Sequence, residues 1–380
     1  HCMTMGTAST MACIAEALGM QLPGASCLPA VDARRVVLAE ETGVLAVSLA
    51  THGPKPSEIM TKAAFENAIV VNAAIGGSTN AIIHLLAIAR RVGVGLNLND
   101  FDEVGRRVPL LVDLMPSGQF LMEDLSEAGG LPAVVKELRP WLHSDVTTVT
   151  GASLLENCRG ARNDRPEVIR SPADPVQPAG SGTAVLFGTL APRGAVIKVS
   201  AASPRLLAHR GPALVFDRVE DYLAVVDDTS LAVSSETVIV VRNCGPKGYP
   251  GMPEVGNLPL PRVVLERGVT DMVRISDARM SGTAYGTCVL HTAPEAAVGG
   301  PLGLVQTGDI IALDVANRRL DLEVDEHELE RRSEAWAPPS PAYQRGWAHL
   351  YVESVLQADE GADLAFLVGS SGHATPRAAF

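Results

Sequence analysis

Positive charge is in short supply: 31 Lys and Arg stand against 43 Asp and Glu, a net charge of −12. A protein that neutralises phosphates needs a basic face, so neither nucleic acid nor an anionic membrane is an expected partner. A small anionic substrate stays open, because local cations or a metal override the global sign. Long hydrophobic runs are also missing. Stretches such as Ala68-Ile69-Val70-Val71 and Ala81 to Ala89 are too short or too interrupted to span a bilayer, and no signal-peptide pattern opens the chain. The expectation is a soluble, cytoplasmic protein. No C-x-x-C pair occurs: Cys2, Cys13, Cys27, Cys158, Cys244 and Cys288 lie far apart, which signals neither a zinc site nor a compact disulfide framework. Most of them read as small buried hydrophobes. His84, His291 and the other histidines show no metal-ligand spacing, and no repeat period is visible.

What is present suffices for two ordinary domains: 380 residues, 47% of them hydrophobic. Met11, Ile14, Ala15 and Leu18 form a helical stripe that predicts a helix over 7–20, stopped at Gly19. A second helix is predicted over 57–68 and a third from the Gly76-Gly77-Ser78-Thr79-Asn80 turn to Arg90. The run Ile69 to Asn72 between them has strand character, and the alternation predicts an α/β layer. Proline and glycine crowd residues 165–182, which reads as a boundary between domains spanning 1–168 and 169–380. Beyond it, short β-type runs at 184–187, 195–199, 213–216, 237–241, 308–315 and 319–324 predict a closed or nearly closed β-barrel, with a further helix over 346–357. The fold class is therefore α/β: the remainder of an N-terminal α/β domain followed by a C-terminal β-barrel domain with added helices. The text opens at His1, inside a motif and without an initiator Met, so it is expected to be a fragment.

Three segments could carry chemistry. Cys2 lies in a Thr-, Gly- and Ser-rich stretch just before the first helix, where the helix N-terminal field and unpaired backbone N–H groups would favour a thiolate. A loop cysteine without a role is the alternative. The loop from Gly245 to Glu254 contains three glycines and three prolines, a stiff backbone suited to aiming a carboxylate at a hard cation, although a solvated Glu on a turn is the commoner object. Ser281-Gly282-Thr283, after the strand-like Met272 to Ile275, places two hydroxyls round a glycine. A free serine is too weak an acid to act as a base unless a metal or neighbouring base lowers its pKa, and a turn or capping role is the competing reading. Asp277 and Arg279 are expected to form a structural pair.

Together these segments resemble the dihydroxy-acid/aldonate (IlvD/Edd) dehydratase family. Met5-Gly6-Thr7-Ala8-Ser9-Thr10-Met11, Glu16 to Met20, Leu22-Pro23-Gly24, Gly76 to Asn80, Pro116-Ser117-Gly118, Ala128 to Pro132, Leu190 to Lys198 and Gly299-Gly300-Pro301-Leu302 look like family signatures in family order. The resemblance is to the C-terminal two-thirds of a member. It implies a hydro-lyase that converts a 2,3-dihydroxy carboxylic acid to a 2-keto-3-deoxy acid, using an iron–sulfur cluster, 2Fe–2S rather than 4Fe–4S, and Mg²⁺. Cys2 matches the third cluster cysteine, Glu254 a magnesium glutamate, and Ser281 the proposed base, with Thr283 assisting. The first two cluster cysteines, a carbamylated lysine and a further magnesium carboxylate belong upstream of His1, so the polypeptide alone is expected not to assemble the intact cluster. Members of this branch end in histidine after Pro-Arg-x-x, whereas Pro376-Arg377-Ala378-Ala379 here precedes Phe380. The Gly6-Thr7-Ala8-Ser9 and Ser281-Gly282-Thr283 wording is closer to sugar-acid dehydratases acting on pentonates. Dihydroxy-acid dehydratase of branched-chain amino-acid biosynthesis and a truncated non-catalytic paralogue are the alternatives. The family is oligomeric, so a homo-oligomer is expected.

Overall fold

Short aliphatic and β-branched runs after residue 182 form the strands of one sheet: β1 (Thr183–Leu186), β2 (Gly194–Lys198), β3 (Ala208–Phe216), β4 (Val238–Val241), β5 (Arg274–Ser276), β6 (Cys288–Ala293), β7 (Ile310–Asp314) and β8 (Arg319–Leu322). The structure is a computed structural model that describes residues 2–339 and 343–369; Phe380 and the Pro-Arg segment before it lie outside them. The strand order is β1-β2-β6-β5-β4-β3-β7-β8. The central pairs β3–β4, β4–β5 and β5–β6 are parallel and the flanking pairs antiparallel. Just past β1, Phe187 N–H donates to the Arg318 carbonyl at 2.9 Å, and its own carbonyl accepts from Leu320 N–H at 3.0 Å. These bonds join the two edges, so the sheet is a nearly closed barrel with few open edge groups.

Side-chain alternation along the strands separates two apolar cores. Ala184, Leu186, Ile197, Val240, Ile275, Val289, Ile311 and Leu320 pack together in one. Their neighbours Val185, Val196 and Leu290 point the other way, against Ile14, Phe65, Ile69, Ile82 and Leu86 of the helical layer. Each such side chain contributes about 1.5–3 kcal/mol on burial. A charge at Val196 would therefore detach the layer from the barrel.

Among the described residues, the helices of eleven residues or more are α1 (Thr7–Ala17), α2 (Arg34–His52), α3 (Lys62–Ala74) and α4 (Asn80–Arg91). The strand character read at 69–72 is overturned, since these residues lie inside α3, which Thr61 caps by accepting from Ala64 N–H at 3.3 Å. The helix predicted over 57–68 divides into Pro56–Ile59 and the start of α3. No named strand precedes Thr183 among the described residues. The proline-rich 165–182 segment is pinned to the helical half: Arg170 N–H bonds to Leu111 O at 2.8 Å and Val176 N–H to Leu110 O at 2.9 Å. No helix among the described residues is long and apolar enough to cross a membrane.

Candidate active site

Two glycine-containing turns meet at the junction of helical layer and barrel. Gly6 precedes α1, and the Gly76–Thr79 turn, with Gly76 at φ +59°, leads into α4. The hydroxyls of Thr7 and Ser78 lie 3.0 Å apart, and Ser78 N–H donates to Thr10 Oγ1 at 3.0 Å. From the barrel side, the segment after β5 presses on this pair. A Cβ at Gly282 would lie 2.7 Å from Thr7 N and 2.8 Å from Ser78 Cβ, so only glycine allows this approach.

Asn80, the first residue of α4, ties the contributions together. Its amide Nδ2 lies 2.9 Å from Thr7 Oγ1, 3.0 Å from the Met280 carbonyl and 2.5 Å from Glu254 Oε1. The partners come from α1, from the loop after β5 and from the loop after β4. An amide between a carboxylate and two other acceptors fixes all three, while its own Oδ1 is buried without a partner.

The four residues singled out in the sequence converge on this junction. Ser281 Oγ and Thr283 Oγ1 are 2.8 Å apart, and Ser281 Oγ also accepts from Thr283 N–H at 3.3 Å. The turn role weighed for Ser281 is thus real, and it leaves the hydroxyl pair exposed. Cys2 is the exposed cysteine of the six; the other five are buried. Its sulfur and the Thr283 methyl lie 3.8 and 3.0 Å from where a Gly6 Cβ would stand, so Cys2 and the Ser281 turn flank the same glycine. Glu254 is exposed and held by Asn80. A cavity of about 230 Å³ opens beside Cys2, lined also by Met3, Cys27, Pro29, Val31 and Glu123. A larger one, about 670 Å³, lies between Arg242, Tyr249 and Trp336, and none of the four residues borders it.

The structure adds residues that motif reading did not supply. Lys198, the last residue of β2, is buried with its Nζ 3.5 Å from the Gly282 carbonyl, and burial brings its ammonium down to about 7. A lysine closing an apolar strand was the available signal. Glu295 is buried, and burial raises its carboxyl above the usual range. It accepts from Lys247 N–H, Gly248 N–H and Gln357 Nε2 at 3.0, 2.8 and 2.6 Å, which clamps the loop leading to Glu254. The expected Asp277–Arg279 pair does not form. Asp277, its carboxyl raised to about 7 by burial and then by Glu295, accepts from Cys244 N–H and Ala296 N–H at 2.8 and 3.0 Å. Arg279 turns instead to the Met252 carbonyl, 2.6 Å from its Nε. His291 is buried with both ring nitrogens unpartnered, held down to about 3 by burial and then by the Arg279 charge.

An exposed thiol beside a cavity and an exposed carboxylate on a clamped loop fit a thiophilic and a hard cation as single ligands. Among the described residues no group of three or more His, Cys, Asp and Glu side chains gathers to hold a metal. The chain's own donors thus fit part of each coordination sphere.

Sequence comparisons identify the family. The model described as "Dihydroxy-acid/6-phosphogluconate dehydratase N-terminal" matches residues 1–157, and its C-terminal counterpart matches residues 167–362. The reading of the chain as only the C-terminal two-thirds of a member is corrected accordingly, because domains of both names match, over residues 1–157 and 167–362. An L-arabinonate dehydratase of Rhizobium leguminosarum bv. trifolii is 56% identical over 362 residues, covering 95% of this chain and 62% of its own length. An L-arabonate dehydratase of Azospirillum brasilense is 56% identical over 374 residues, covering 96% and 64%. A dihydroxy-acid dehydratase of Ignicoccus hospitalis is 44% identical over 368 residues, covering 96% and 66%. The chain spans less than two thirds of the length of these curated relatives.

Proposed function

The chain belongs to the dihydroxy-acid/6-phosphogluconate dehydratase family, and from that premise we propose that it serves a hydro-lyase that removes water from a sugar acid of the pentonate type. The observation that carries this reading is the convergence of Cys2, Glu254, Ser281 and Thr283 on the Gly6–Thr7–Asn80 junction. Those residue types match what the reaction requires. The proton on the carbon beside a carboxylate is poorly acidic and hydroxide leaves poorly, so a base is needed on one side and electrophiles must face the developing charges.

In this proposal Ser281 takes the α-proton at its Oγ as the alkoxide: the hydroxyl first gives its own proton to solvent, a loss that a cation held at Glu254 would favour when bound, and the α-proton then restores the hydroxyl. Thr283, 2.8 Å away, orients that oxygen and shares its hydrogen bond. Glu254, fixed by the Asn80 amide, is a ligand for Mg²⁺, and Cys2 a ligand for an iron–sulfur cluster. When bound, these groups supply the Lewis acidity that carbanion-like charge and hydroxide departure need. The remaining ligands of both are to come from outside this chain's own donor set. The greater identity to pentonate dehydratases than to the dihydroxy-acid dehydratase favours a sugar acid. Both substrate classes share the 2,3-dihydroxy carboxylate on which the chemistry acts.

The test is a side-by-side assay of the cluster-loaded enzyme on L-arabinonate and on 2,3-dihydroxyisovalerate. The expected outcome is a kcat/KM for the pentonate at least about tenfold higher, a difference of ~1.4 kcal/mol in transition-state binding. Preference for the branched acid would overturn the sugar-acid assignment, and no turnover of either would overturn the enzyme.

A further inference from the structure

Arg279 sits two residues before the proposed base and reaches the strand of chain that carries the proposed magnesium ligand. Three hydrogen bonds join the two segments on both sides of Glu254. Arg279 Nε donates to the Met252 carbonyl at 2.6 Å, Arg279 N–H donates to the Pro253 carbonyl at 3.3 Å, and the Arg279 carbonyl accepts from Gly256 N–H at 2.8 Å. Glu254 therefore lies inside a bracket formed by one residue. The bracket is anchored at its far end, since Met252 is buried, with φ at +48°, and packs on Ile83 and Ala358. Among the described residues the Arg279 guanidinium forms no ion pair, so its strong donor is spent on a backbone carbonyl. A charged donor on a carbonyl gives a shorter and stronger bond than a neutral one.

The consequence is geometric. Glu254 and Ser281 belong to different loops, after β4 and after β5, and loops of that length would otherwise drift independently. Asn80 ties Glu254 Oε1 to the Met280 carbonyl from the helical side, at 2.5 and 3.0 Å. Arg279 ties the same two segments from the barrel side. A catalytic pair misplaced by an ångström loses much of its rate.

We propose that Arg279 is a positioning residue that fixes the Glu254 carboxylate relative to the Ser281 hydroxyl, and so sets both magnesium affinity and the rate of proton abstraction. The first effect rests on the proposed role of Glu254 as a magnesium ligand and the second on the proposed dehydration. The experiment uses the cluster-loaded enzyme, freed of magnesium and titrated with Mn²⁺ alone, its binding followed by electron paramagnetic resonance. Turnover of L-arabinonate is then measured at saturating Mg²⁺. In Arg279→Met, Mn²⁺ dissociation is expected to weaken about 10- to 100-fold and kcat to fall by a similar factor, with KM nearly unchanged. Arg279→Lys, which keeps a charged donor, should recover part of both losses, and it decides the matter if the Met variant does not fold.

Mn²⁺ affinity and kcat within about threefold of wild type in the variants would overturn the proposal. So would equal losses in the Lys and Met variants that track a fall in Tm, since that is the mark of a merely structural role. Failure of the wild-type enzyme to bind Mn²⁺ would overturn it as well, by removing Glu254 as a ligand. If the wild type binds Mn²⁺ but dehydrates no sugar acid, the substrate assignment falls while the Mn²⁺ titration still decides the role of Arg279.

Discussion

The surroundings of Lys198 depart far from what its side chain prefers. A buried ammonium facing a carbonyl, with no ion pair among the described residues, is costly, and such a group usually persists where it has work to do. The cost depends on pH in a defined direction. In the unfolded chain the ammonium keeps its proton to its ordinary value of 10.5, whereas burial lowers that value to about 7 in the fold. Between these values the unfolded chain binds the extra proton. The penalty is therefore full at pH 7 and below, and it is relieved as pH rises toward 10. Lys198→Met is expected to raise Tm at about pH 6 and to lose most of that gain by about pH 9.5, as read by calorimetry. An equal shift at both pH values would show that the native amine is not held near neutrality. At this scale Cys2, Glu254, Ser281 and Thr283 could be picked out because each sits in a short motif. Asn80, Lys198 and Arg279 could not be assigned their roles, because the partners that define them lie 174, 84 and 27 residues away in the chain.

Among the four long helices, α2 has the least to hold it. None of its residues is buried, and Val36, Val44 and Val47 are exposed. A helix without tertiary packing relies on propensity alone, which is marginal at this length. Its amides are expected to exchange at least about tenfold faster than those of α3, which is buried almost throughout, in hydrogen-exchange mass spectrometry. Protection equal to α3 would mean that another surface covers the valines in solution. The same contrast explains where pattern reading failed. Because α3 is buried almost all round, its Ile69-Val70-Val71 run lacks a 3.6-residue stripe and imitates a strand. β6 escaped for the opposite reason: Cys288, His291 and Thr292 interrupt its aliphatic character although every residue is buried. β1, β2, β4, β7 and β8 were legible from short runs of aliphatic side chains, whereas only the 213–216 end of β3 was, because His209, Arg210, Gly211 and Pro212 break its first half.

For the whole molecule, the informative feature is that the candidate site belongs to neither half. The helical layer supplies Cys2, Thr7 and Asn80, and the barrel supplies Glu254, Ser281 and Lys198; the interface between them is the apolar seam of Ile14, Phe65 and Leu86 on Val185, Val196 and Leu290. Composition and periodicity indicated a barrel after residue 182, but the docking of the helical layer on one face of it depends on long-range pairing that no local pattern encodes. Turnover of L-arabinonate by Ser281→Ala in the cluster-loaded enzyme tests most directly whether chemistry happens at that seam. The account predicts a fall in kcat of about 10²- to 10⁴-fold with Tm and substrate affinity preserved, whereas a variant that keeps kcat within about threefold of wild type would contradict it.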